Sequence, residues 1–264
     1  MSTSQTELEE LILKLLAGGR RYQLIGYHEN ALIGALRKQF PKDESPLPYF
    51  IVQAVWSLVS RGLAVIDYQN ENVVNWYIDL TPKGRAAALD EEVNPDNPSK
   101  YIEKLNSSVP MANATVMQYA KDALESYNNR CYLASAVMLG VASEAAFIEM
   151  ARSFGNWLPE SDEKKKFISI IENERQNYLT KFLEFRKRIE THKSELPPDL
   201  SDGMALTFDS IVDLLRIYRN DAGHPTGKQI SRDDAFNNLQ MFQRYLHKLY
   251  AFKAYFDQKT NSDG

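Results

Sequence analysis

The chain has 264 residues, of which 44% are hydrophobic and 25% charged, with a formal net charge of −4. That length fits one large domain or two ordinary ones, and either half is long enough to bury a core of its own. The slight acidic balance excludes a global basic field that would draw in nucleic acid regardless of sequence, and leaves room only for a local basic groove.

The lone cysteine, Cys131, cannot close an internal disulfide. It sits in an apolar helical pattern and is expected to be a small buried hydrophobe in a reducing compartment. No stretch reaches the ~18 apolar residues that a membrane span requires. The N-terminal residues lack the basic-then-apolar order of a signal peptide, so the expected location is the cytoplasm.

Leu8, Leu11, Ile12, Leu15 and Leu16 lie near one face of a helix over 6–17, which Gly18-Gly19 stops. A second helix is predicted over 29–40, through Ala31, Leu32, Ala35 and Leu36, halted by Pro41. A third begins near Pro48 and runs to Arg61, with Ile51, Val52, Val55, Leu58 and Val59 facing inward and Gly62 as the stop. Leu63–Tyr68 and Val73–Leu80 read as two strands of a hairpin across the polar turn 69–72. Thr81 can then cap a helix that has Pro82 at its first position.

Three helices, a hairpin and the Leu80-Thr81-Pro82-Lys83-Gly84-Arg85 helix start resemble the winged-helix fold, over residues 1–89. Residues 90–100 are acidic, contain proline and carry few apolar groups, so they read as a linker that buries nothing useful. Residues 101–264 read as an all-α bundle, giving a mainly α chain overall. Its helices are predicted at about 111–127, 130–154, 161–193, 205–221 and 231–257. The second is apolar almost all round and should be central. Ser231, with Asp234 three residues on, is a capping signal for the last.

The sharpest segment is Arg216-Ile217-Tyr218-Arg219-Asn220-Asp221-Ala222-Gly223-His224-Pro225. An Arg, a polar residue, a short gap and a His, late in a helical bundle, resemble the motif of HEPN domains. The helix around Ser135–Glu144 resembles the buried helix that packs beside that motif. The resemblance covers about 110–257. It implies RNA cleavage by the substrate's own 2′-hydroxyl, with catalytic roles at Arg219 and His224, a supporting role at Asn220, and two motifs paired across a homodimer. Histidine can move both protons of such a reaction near neutral pH, and arginine can hold the phosphorane. The same residues also suit a plain helix end, with Gly223 as cap, Pro225 as stop and the cations near the negative end of the dipole. Glu144, in an apolar helix, needs a partner: either Arg216 or Arg219, which it would orient, or a place on the rim of the buried face.

Lys181, Arg186, Lys187 and Arg188 belong to a basic row that could hold an RNA backbone. Acidic residues interleave with them, as on a solvated helix laced with ion pairs. One Cys and four scattered His give no metal set, and no cofactor is expected. In the third helix Arg61 is the only cation, which makes DNA a weaker expectation than a protein contact for the first module. The leading expectation is a HEPN-like, metal-independent endoribonuclease of a toxin or antiviral defence system. The alternatives are a non-catalytic adaptor docking through its winged helix, and a DNA-binding regulator.

Overall fold

Ser4 opens the first helix by accepting a hydrogen bond from the Glu7 amide at 3.2 Å, while its own amide donates to Glu7 Oε2 at 2.8 Å. This reciprocal pair satisfies two orphan donors and sets where α1 (Gln5–Ala17) begins. The computed structural model describes residues 4–40, 46–68, 76–89, 94–202, 204, 208 and 229–262. The predicted helix over 205–221 apart from Phe208, the hairpin turn at 69–72, and Arg216, Arg219, Asn220 and His224 lie outside the described residues. The chain is mainly helical with one small sheet, and it divides into two units. The first is residues 1–104 with 128–130, and the second is 105–127 with 131–264.

In the first unit, α1 is followed by β1 (Tyr22–Gln23), α2 (Leu32–Arg37), α3 (Pro48–Ser60), β2 (Ala64–Tyr68), β3 (Trp76–Leu80) and α4 (Pro82–Leu89). The sheet is antiparallel in the order β1-β3-β2, with Ala64 opposite Leu80 and both Ile66 and Tyr22 opposite Ile78. The two-residue β1 is too short to show a period in sequence, and it was not foreseen. Leu8, Ile12 and Leu16 of α1 meet Leu32 and Leu36 of α2, Ile51, Val55 and Leu58 of α3, and Ile78 and Leu80 of the sheet in one buried cluster.

Thr81 Oγ1 donates to Gly62 O at 2.7 Å and accepts from the Gly84 amide at 3.0 Å, tying the start of α4 to the end of α3. Gly84 is required there, because a Cβ would sit 1.9 Å from Leu63 O.

The expected linker is corrected. Asn94, Pro95, Asp96 and Asn97 are buried in the first unit. Polar side chains can be buried when their groups are paired. Asn94 Oδ1 accepts from the Asp96 amide, Lys83 pairs with Asp96, and Asn97 Oδ1 receives the Lys100 amide. Asn97 thereby starts a helix that the sequence reading missed, α5 (Pro98–Ser108), along which the division between units falls.

The second unit contains α6 (Ala114–Asn128, whose last residue counts with the first unit), α7 (Tyr132–Trp157), α8 (Asp162–Glu172), α9 (Tyr178–Thr191), a 3-10 turn (Lys193–Glu195), α10 (Pro198–Ser201) and α11 (Arg232–Ser262). The single helix expected over 161–193 is two. Asn173 Oδ1 accepts from the Arg175 amide at 3.0 Å, and Asn177 Oδ1 accepts from the Thr180 amide at 2.9 Å. Each asparagine offers the backbone an alternative to helix, so the chain breaks between them.

α7 packs lengthwise on α11 and also against α8. Phe154, near the C-terminal end of α7, is in edge-on contact with Phe167, Phe185 and Phe256 at 5.2–5.3 Å between ring centroids. Contrary to the sequence expectation, α7 is long and apolar enough to cross a membrane by length and composition. Half of its apolar window is buried. Cys131 is also corrected. It stands at the N-cap of α7 and is exposed, because the buried face of the helix begins at Ser135.

Candidate functional site

Glu144, the one expected site residue of the HEPN-like constellation that is described, lies half-buried on α7. Its predecessor Ser143 is fully buried, donates from Oγ to Leu139 O at 2.8 Å, and accepts at its carbonyl from the Tyr245 hydroxyl at 2.8 Å. Tyr245 comes from α11. Tyr178, the first residue of α9, sets its ring edge-on to Phe147 at 4.9 Å.

The Tyr178 hydroxyl is buried beside that of Tyr245 and has no hydrogen bond of good geometry. Burial raises the pKa of both phenols, and the Glu144 carboxylate raises both further. Two buried tyrosines locked in the neutral form thus stand near one half-buried carboxylate. A half-buried carboxylate can orient a guanidinium or an imidazolium, since a charge partly withdrawn from water interacts more strongly than a fully solvated one.

The basic row on α9 does not form one surface. Lys181 is buried and donates from Nζ to Ile171 O at 2.6 Å, closing the exposed end of α8. It is therefore removed from the expected RNA surface. Arg188 is turned inward as well: it pairs with Glu184 and lies over the Phe167 ring at 5.2 Å. Lys187 is exposed and Arg186 half-exposed. The helical period explains the split, because 181, 185 and 188 share one face while 187 points away.

A second feature lies in the first unit. From Pro46 to Ser60 the chain has no charged residue. On α3, Tyr49, Gln53, Trp56 and Ser60 are exposed along one stripe, flanked by Leu47 and Phe50. Trp56 is 52% and Tyr49 70% exposed. Many of the described cations of this unit are held in ion pairs within it: Lys14–Glu10, Arg21–Asp67, Lys38–Glu29, Arg61–Glu9, Lys83–Asp96 and Arg85–Asp79.

No group of three or more metal-binding side chains occurs among the described residues. An open cavity of about 220 Å³ in the second unit is lined by Val109, Met111, His247, Tyr250, Ala254 and others. Its polar groups are engaged: His247 Nδ1 with Ser108 O, and the Tyr250 hydroxyl with Glu149 and the Asn113 amide.

No family model, no curated protein and no solved structure matches this chain. Sequence reasoning missed Tyr178 and Tyr245. The available signal was Glu144 itself, since a carboxylate on an apolar helix calls for polar neighbours from the helices packed on it. It also passed over Trp56 and Phe50, although assigning 51, 52, 55, 58 and 59 to the inside leaves 49, 53, 56 and 60 outside.

Proposed function

We propose that the chain is a metal-independent endoribonuclease, built from a winged-helix module and a HEPN-like bundle and acting in toxin or antiviral defence. The observation that carries this reading is the Arg219-Asn220-x3-His224 sequence, in a mainly helical unit whose central helix presents Glu144 beside two neutral phenols. In this reading His224 removes the 2′-OH proton or protonates the leaving 5′-oxygen, and Arg219 stabilises charge on the phosphorane. Glu144 orients the guanidinium. A homodimer supplies the second His–Arg pair. Of the basic row, Lys187 and Arg186 remain as phosphate contacts. The test is cleavage of single-stranded RNA in EDTA. The purified chain yields 2′,3′-cyclic phosphate ends and His224→Ala abolishes them; equal cleavage by that variant ends the assignment.

A second reading, the non-catalytic adaptor, is favoured by the charge-free aromatic stripe on α3. Phosphate contacts supply much of the affinity of DNA-binding helices, and this surface offers none. A chain that cuts no RNA yet co-purifies in fixed stoichiometry with a partner protein would replace the enzyme by the adaptor.

A further inference from the structure

We propose that the exposed stripe of α3 is a two-fold interface between copies of this chain, formed by antiparallel packing of α3 on its symmetry mate. Four observations support it.

The first is spacing. Tyr49, Gln53, Trp56 and Ser60 are separated by four, three and four residues, which keeps them on one narrow helical stripe. The series reads the same in both directions. An antiparallel two-fold through its centre therefore sets Tyr49 against the partner subunit's Ser60 and Gln53 against the partner subunit's Trp56, twice each.

The second is shape. The bulky exposed groups Leu47, Tyr49 and Phe50 gather at the start of α3, Trp56 stands two-thirds of the way along it, and the small residues at its end are the half-buried Ser57 and the exposed Ser60. Antiparallel packing sets large on small, as close helix approach at about 8–10 Å requires. Parallel packing would set Tyr49 on Tyr49 and hold the other ends apart. Ser60 Oγ already donates to Ser57 O at 2.8 Å, so covering it strands no donor.

The third is charge. A stripe without charged side chains has no counter-charge for a phosphate backbone or an acidic peptide, and it meets an uncharged face without desolvating an ion. A second copy presents such a face by construction.

The fourth is area. Aromatic side chains bury on the order of 200 Å² each. At their exposures of 70%, 47% and 52%, Tyr49, Phe50 and Trp56 together with Leu47 offer ~500 Å² per chain, hence ~1,000 Å² for the pair. That is the lower bound of a specific interface and predicts a dimer of modest affinity.

The inference stands apart from the ribonuclease reading. The experiment is sedimentation velocity of the full chain from 1 to 200 μM, with Trp56→Glu as the disrupting variant. Trp56 is half-exposed, so the variant is expected to fold, and its circular dichroism and melting curve check this. The wild type dimerises in this range, and Trp56→Glu weakens the dimer at least tenfold.

A covalent test removes any dependence on Trp56. In a Cys131→Ser background, Tyr49→Cys with Ser60→Cys yields an inter-chain disulfide on mild oxidation, whereas either cysteine alone does not. The two positions are ~16 Å apart within one helix, too far to bridge inside a chain.

A monomer at all concentrations overturns the proposal. So does a dimer that Trp56→Glu leaves intact and the cysteine pair fails to capture. That last result would leave a dimer through the helical unit, and with it the ribonuclease reading, standing. Loss of duplex-DNA binding in Trp56→Glu, with the oligomer unchanged, would make α3 a nucleic-acid reader and also overturn it.

Discussion

Arg61 Nη1 lies 2.5 Å from Glu9 Oε2, with both side chains about nine-tenths buried, so the last turn of α3 is fastened to the middle of α1 by an ion pair inside the first unit. Arg61 also donates from Nη2 to Asp96 O at 2.7 Å and from Nε to Asn128 Oδ1 at 3.1 Å, and Lys83 Nζ reaches Arg61 O at 3.0 Å. A planar guanidinium reaches these three acceptors from three separate nitrogens, whereas a lysine offers its donors from a single one.

Removing one member of such a pair leaves the other charge buried and uncompensated. Arg61→Met is therefore expected to destabilise the first unit by about 3–5 kcal/mol. Glu9→Gln with Arg61→Met should recover part of that loss, because no ion is then stranded. Urea unfolding followed by tryptophan emission checks both, since Trp56 and Trp76 report on this unit. A single variant as stable as wild type would show that the pair carries no stability.

Lys181 and Lys187 stand six residues apart on α9 and are expected to separate packing from RNA contact. Lys181→Met keeps the buried stem but loses the bond to Ile171 O, at a cost of about 1.5–3 kcal/mol in the second unit. RNA affinity at low salt should not change. Lys187→Ala should leave stability within about 0.5 kcal/mol of wild type and reduce the slope of log affinity against log salt by about one. Thermal unfolding and a salt series of RNA binding provide the two readouts. An effect of Lys181→Met on binding without loss of stability would restore Lys181 to the RNA surface.

Much of the architecture was legible in the sequence because local signals and packing agree. Ser231 with Asp234 marks the start of α11, Thr81-Pro82 the start of α4, and the 3.6-residue pattern of α1 and α3 gives their buried faces. The misreadings arose where tertiary contacts overrode composition. Residues 94–97 look like a solvated linker, yet they are buried because Lys83, Lys100 and their own turn satisfy their polar groups. Asn173 and Asn177 broke a helix that the charge pattern alone would continue.

The site was legible only at Glu144. Tyr178 and Tyr245 come from helices 34 and 101 residues further along, and no local period announces that they meet it. The stripe on α3 is the reverse case: the periodicity states which residues point out, and only their exposure shows that nothing within the unit covers them.

Tyr178 and Tyr245 supply the remaining prediction, because their buried hydroxyls differ in one respect. Tyr245 donates to Ser143 O at 2.8 Å, whereas the Tyr178 hydroxyl meets the Tyr245 oxygen without good hydrogen-bond geometry. Deleting a satisfied hydroxyl costs the hydrogen bond and leaves a bare carbonyl, so Tyr245→Phe should destabilise the second unit by about 1–2 kcal/mol. Deleting a hydroxyl held by so poor a contact relieves most of a desolvation penalty, so Tyr178→Phe should be neutral or stabilising by up to ~1 kcal/mol. Both rings keep their packing, including the edge contact of Tyr178 with Phe147. The difference between the two variants therefore reads the hydroxyls, including the contact between them. If Glu144 orients a catalytic cation, Tyr178→Phe should also change the pH profile of RNA cleavage while leaving the melting temperature at or above that of wild type. Tyr178→Phe melting well below wild type would show that its hydroxyl has a partner after all.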